Sequence, residues 1–289
     1  GASMVNSDVE KRLWLAADQL WANTGLKPSQ FSTPVLGLIF LRYAEKRFAE
    51  AEGRIGPVGS GNRRKISKAD YDAEGVIFLR PEARFSHLQS LTESDDIGKA
   101  INEAMKAIEE DNPDLSGALP QTYTDLGNDV LVELLRLLAP IDLSGDAFGK
   151  VYEYFLGNFA MKEGQKGGVF YTPESIVRLI VEIMEPYHGR ILDPACGSGG
   201  MFVMSADFVE RHGQTASRDI SIYGVEKDRV TVNLNKMNLA VHGLADADVV
   251  VVRPHHDDLV GDLGVAARKD RQDVVPVSQA GGRHRDDAR

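Results

Sequence analysis

The sequence predicts an α/β chain in two parts: an N-terminal helical domain, then the start of a doubly wound domain with a parallel sheet. Three observations predict it. Residues 1–160 read as helical, with apolar positions at helical spacing. From Gly164 short apolar runs alternate with helical segments, the pattern of βαβ units. Within that part, "ILDPACGSGGMFV" (Ile191 to Val203) is a short strand that ends in an acid, then a small-residue loop, then the opening of a helix.

The elements follow in order. In "RLWLAADQLW", Leu13, Ala16, Ala17, Leu20 and Trp21 share one face of a first helix. "TPVLGLIFLRYAEKRF" predicts a second, with Thr33 as N-cap and Pro34 at the first helical position. Its apolar residues run nearly all the way round, so it is expected to be buried. Gly53 to Lys68 reads as a Gly- and Arg-rich loop. "IGKAINEAMKAIEEDNP" sets Ile97, Ile101, Ala104, Met105 and Ile108 on one stripe and stops before Pro113. "DVLVELLRLLAP" and "DAFGKVYEYFLGNFA" supply two more helices, and packing alone accounts for this region.

After "GQKGG", "FYTPESIVRLIVEIMEP" restarts a helix, with Thr172 as N-cap, Pro173 at the first position and Glu174 near the positive end. "RILD" reads as a strand, "GGMFVMSADFVERHG" as a helix, and "ISIYGVE" as a second strand ending at Glu226. "DRVTVNLNKMNLAVHG" is a helix with Val230, Leu234, Met237 and Val241 on one stripe, ending at Gly243. "VVVV" (Val249 to Val252) predicts one further strand. No aromatic residue follows Tyr223, so the expected division is 1–160, 161–250 and a poorly ordered tail, 251–289.

Composition narrows the function classes. The longest apolar run, Pro34 to Leu41, stops at Arg42, short of the ~20 residues of a membrane span. The single Cys196 fits a reducing, cytoplasmic setting and reads as a compact residue filling a tight turn. The net charge of −10 is the wrong sign for a chain that grips DNA unaided. The one basic cluster, Asn62 to Lys68, reads as a solvated loop. "HHDD" (His255 to Asp258) sets adjacent side chains on opposite sides of an extended segment, a poor chelating arrangement, so no metal is expected.

A strand ending in an acid, with a glycine loop leading into a helix, is a ligand-binding edge of an open α/β sheet. Glycines let backbone approach a ligand closely. A Walker-type phosphate cradle needs a lysine after the loop, and none follows. The dinucleotide pattern starts with Gly197 and Gly199 but meets Phe202 at its third position. That match is weak, and the third ligand class in competition is S-adenosylmethionine. Its amino-acid part would lie against Asp193 and the loop backbone, and its ribose hydroxyls against the acid ending the next strand, Glu226.

"FYTPESIVRLIVEIMEPYHGRILDPACGSGGMFV" resembles the cofactor-binding core of the modification (methyltransferase) subunit of type I restriction-modification systems, which are DNA adenine-N6 methyltransferases. "AINEAMKAIEEDNP", "GKVYEYFLGNFA" and "NKMNLAVHG" extend the resemblance over about Val9 to Gly243. It implies a Rossmann-like, S-adenosyl-L-methionine-dependent domain. It further implies that Gly168, Val169, Phe170, Tyr171, Thr172 and Pro173 line the methionine end of the cofactor. Asp193 and the backbone of Gly197, Ser198, Gly199 and Gly200 would line the same pocket, with Glu226 on the ribose. The implied partners are a DNA-specificity subunit, a restriction subunit and, through them, double-stranded DNA.

The family holds its flipped adenine with an Asn/Asp/Ser-Pro-Pro-aromatic motif. No Pro-Pro occurs here, and "DVVPVSQ" (Asp273 to Gln279) resembles the strand without the motif. The expectation is a chain inactive alone, with its catalytic residues unassigned and its tail the product of a truncated or frame-shifted coding sequence. The other function open at this point is a non-catalytic cofactor-binding or assembly module that docks a partner subunit.

Overall fold

A computed structural model describes residues 2–56, 66–140, 147–162, 172, 174–244 and 247–251. By compactness, the described residues up to 162 together with 236–244 form one unit, and 172–235 together with 247–251 form the other.

The first unit is helical: α1 (Ala2–Ala22), α2 (Pro28–Ile55), α3 (Lys68–Ala73), α4 (Phe85–Gln89), α5 (Ile97–Asp111), α6 (Asn128–Leu138) and α7 (Ala147–Lys162). As predicted, α2 is buried around most of its circumference, from Phe31 through Leu41 to Ala51. Its start differs from the prediction. Lys27 is the N-cap and Pro28 opens the helix, so Thr33 and Pro34 lie inside it. Two prolines compete for the first position, and Phe31 decides between them, because helix from Pro28 buries its ring completely. The Tyr123 hydroxyl donates to the Pro34 carbonyl at 2.9 Å.

The far end of α2 also differs. Gly53 to Ile55 are helical, and Gly56 at φ +58° ends the helix, so the predicted loop starts later. Ser67 and Asp70 then hydrogen-bond at the start of α3, which the sequence reading missed. Most of the basic cluster lies outside the described residues. On α1 the buried face is Leu13, Trp14 and Ala17, with Ala16, Leu20 and Trp21 half-buried. Trp14 was missed; its ring packs edge-on against Phe155 and Phe159 of α7. The α5 stripe is buried as predicted.

The second unit holds α8 (Glu174–Met184), β1 (Gly189–Asp193), α9 (Gly200–Arg211), α10 (Ala216–Asp219) and β2 (Ile220–Glu226). Next come α11 (Arg229–Val241), whose last turns belong to the first unit, and β3 (Asp248–Val251). The strands form a parallel sheet in the order β1-β2-β3, with Asp193 opposite Gly224 and Glu226 opposite Val251. Parallel neighbours require crossovers, which α9 and α11 supply. Val177 and Val181 of α8 pack on Met204 and Phe208 of α9. On α11, Leu234, Met237 and Val241 are buried as predicted, but Val230 is 51 % exposed. Thr231 and Asn235 turn inward as well, which widens the buried face beyond the predicted stripe; Asp228 accepts the Thr231 amide and hydroxyl.

Candidate functional site

The carboxyl ends of β1 and β2 bring Asp193 and Glu226 to neighbouring positions on one edge of the sheet. The loop 194–199 joins β1 to α9 between them. Its path is set by backbone bonds. The Cys196 amide donates to the Val225 carbonyl at 3.0 Å, continuing the β1–β2 pairing past the strand end. The Gly197 amide donates to Glu226 Oε2 at 3.2 Å. Gly197 (φ +51°) and Gly199 (φ +89°) take left-handed conformations that favour glycine, and Gly199 is the N-cap of α9. The first amides of α9 therefore open onto this edge, where a helix N-terminus favours an anion.

Glu226 is buried. Its Oε1 accepts the amides of Lys227 (2.7 Å) and Asp228 (3.1 Å), while Oε2 accepts that of Gly197. A carboxylate offers about four lone-pair sites, so one acceptor position is left on Oε2. Asp193 Oδ1 accepts the Ala195 amide at 3.0 Å. Burial raises the Asp193 carboxyl above its ordinary range; the Ala195 amide pulls it partly back, and the nearby Glu226 adds to the rise.

Cys196 is buried under the loop. Burial, then the charges of Asp193 and Glu226, push its thiol up to about 12. The shift favours the protonated thiol, which suits a compact residue filling the turn.

Two residues that shape the loop escaped the sequence reading. A Cβ on Gly224 of β2 would stand 2.9 Å from Cys196 Sγ and 3.0 Å from the Phe202 ring. Glycine there lets the loop and the first turn of α9 seat directly on the sheet, and an interior glycine in a strand was the available signal. Asn235 of α11 is 0 % exposed; its Nδ2 donates to the Gly197 carbonyl at 2.8 Å and to Cys196 Sγ at 3.3 Å. The structure thus brings Asp193, Gly197, Ser198, Gly199, Gly200 and Glu226 together. Thr172 is exposed ahead of α8, while Gly168 to Tyr171, Pro173, "HHDD" and "DVVPVSQ" lie outside the described residues.

Two family descriptions match successive parts of the chain: "HsdM N-terminal domain" over residues 9–138 and "N-6 DNA Methylase" over 143–275. The chain is 35 % identical over 277 residues to the type I restriction enzyme MjaIX methylase subunit of Methanocaldococcus jannaschii, covering 89 % of this chain and 49 % of that protein. It is 41 % identical over 162 residues to the HindI methylase subunit of Haemophilus influenzae, covering 51 % of this chain and 36 % of that one. The chain spans about half or less of the length of these curated relatives. Among solved structures, the type I restriction-modification methyltransferase subunit from Streptococcus thermophilus shares the fold with a TM-score of 0.66 at 20 % identity, over 88 % of this chain and 60 % of that one. A helical N-terminal domain leads into a methyltransferase domain with a parallel sheet, a family description matches each part, and the chain belongs to the family of type I restriction-modification methyltransferase subunits.

Proposed function

We propose that this chain holds S-adenosylmethionine on the 194–199 loop, as the cofactor-binding part of a modification subunit that methylates adenine N6 in DNA. One observation carries the reading: two strand-end acids flank a glycine loop pinned to one of them through the Gly197 amide. The residues fit the group. Two left-handed glycines, with a tight fit for any Cβ at Gly199, leave their backbone bare toward a ligand.

The cofactor supplies a methyl group on a sulfonium. Asp193 takes the cationic ammonium of its amino-acid part, and the first amides of α9 take the carboxylate. Glu226 accepts a ribose hydroxyl on Oε2, and the segment Gly168 to Pro173 lines the methionine end. Positioning is the catalytic contribution of these groups.

The net charge of −10 leaves the grip on DNA to partners, a specificity subunit and a restriction subunit, in a cytoplasmic assembly. The sequence has no Pro-Pro to hold a flipped adenine, so binding without transfer is expected of the chain alone. That same observation favours a second reading, a cofactor-binding module that docks a partner without transferring methyl groups.

Ultraviolet cross-linking with tritiated S-adenosylmethionine tests the proposal. The expected result is labelling that S-adenosylhomocysteine competes and NAD or ATP does not. Equal competition by all three, or no labelling, would overturn it. Methyl transfer to duplex DNA in the presence of a specificity subunit separates the two readings.

A further inference from the structure

We propose that Asn235 is a positioning residue for the cofactor loop, holding Gly197 and Gly199 in the shape that receives the amino-acid end of S-adenosylmethionine. The inference rests on the reading of this loop as the cofactor site.

Asn235 lies in the interior of α11, fully buried. Burying an amide is unfavourable unless its polar atoms are bonded. Here Nδ2 is satisfied by the Gly197 carbonyl, but Oδ1 is enclosed with no hydrogen-bond partner among the described residues. An aliphatic side chain would fill the space without that penalty, so packing alone does not account for the amide.

What the amide does is visible in the loop. Gly197 is held at both ends of its peptide geometry, its N–H by Glu226 and its C=O by Asn235. With the carbonyl drawn toward α11, it is kept away from a ligand approaching the opposite side. Gly199 is matched to the same side chain: a Cβ there would stand 3.1 Å from Asn235 Oδ1 and 3.2 Å from both Cγ and Nδ2. The third contact is with Cys196, whose Sγ lies 3.3 Å from Nδ2. One buried side chain from a different element therefore bonds two of the loop's residues and lies close against a third.

The test uses the whole chain with Asn235→Ala, the residue best tolerated in a helix interior, and Asn235→Ser, which keeps a polar group too short to reach as the amide does. Three quantities are read: calorimetric affinity for S-adenosylmethionine and for 5′-methylthioadenosine, which lacks the amino-acid part; the rate at which a thiol reagent modifies Cys196, the only cysteine; and the thermal midpoint. Both variants should bind S-adenosylmethionine about three- to tenfold more weakly, the worth of one hydrogen bond. Methylthioadenosine should change by less than about twofold, because Glu226 still takes the ribose. Cys196 should react faster with the midpoint little altered. Equal weakening of both ligands alongside a fallen midpoint would mean a merely structural role, and unchanged selectivity and thiol rate would overturn the proposal outright. If the unaltered chain binds neither ligand, the cofactor reading itself fails, an outcome distinct from unaltered binding in the variants.

Discussion

Asp193 is held above the ordinary aspartate range by burial and by Glu226. A folded-state value raised above the unfolded one means that the folded chain binds the proton more tightly. Stability is therefore fullest below the ordinary range and is lost as pH rises through the raised folded value. Asp193→Asn, which cannot ionise and can still accept the Ala195 amide, should melt higher than the unaltered chain at pH 7 and show a flatter decline from acid to neutral pH. It should also bind S-adenosylmethionine more weakly, the usual exchange of stability for function. Thermal melts between pH 3 and 8 check this; equal melting of the two proteins at pH 7 would contradict it. Asp193 and Glu226 were legible in the sequence because a strand-end acid beside a glycine loop is a local pattern. Asn235 was not, since its partner Gly197 is 38 residues away in the chain and only the fold brings them together.

The seam between α8 and α9 is the element-scale counterpart. Val177 and Val181 face Met204 and Phe208, and Arg211 bridges to Glu182 across the seam at 2.8 Å. The outer side of α8 is also apolar, with Leu179 62 % and Ile183 73 % exposed. Phe208→Ala should cost about 3–5 kcal/mol through the lost contacts and the cavity left behind. Leu179→Ser should stay within about 0.5 kcal/mol, because that side chain is mostly solvated. Denaturant titration of both variants checks the contrast; comparable losses would mean that the face of Leu179 is packed in solution. The strands and longer helices here were readable from the sequence pattern, down to the last residue of β2, while the four-residue α10 was missed. Periodicity failed where polar groups turned inward, as on α11, and where two prolines competed to start one helix, as on α2.

For the whole molecule, the order of parts was legible because the change from helical spacing to alternating strands and helices is a long-range feature of composition. The parallel sheet followed from that alternation, and the register joining Asp193 to Gly224 explains why the two acids share an edge. The chain spans about half the length of its M. jannaschii relative, so the question of function centres on what this portion binds. Calorimetric titration of S-adenosylmethionine into the chain, beside Asp193→Ala, asks it directly. The account predicts saturable one-to-one binding by the unaltered chain and a loss of about tenfold or more in the variant, the scale of a broken charge-assisted hydrogen bond. Equal binding by both proteins, or no binding by either, would contradict it.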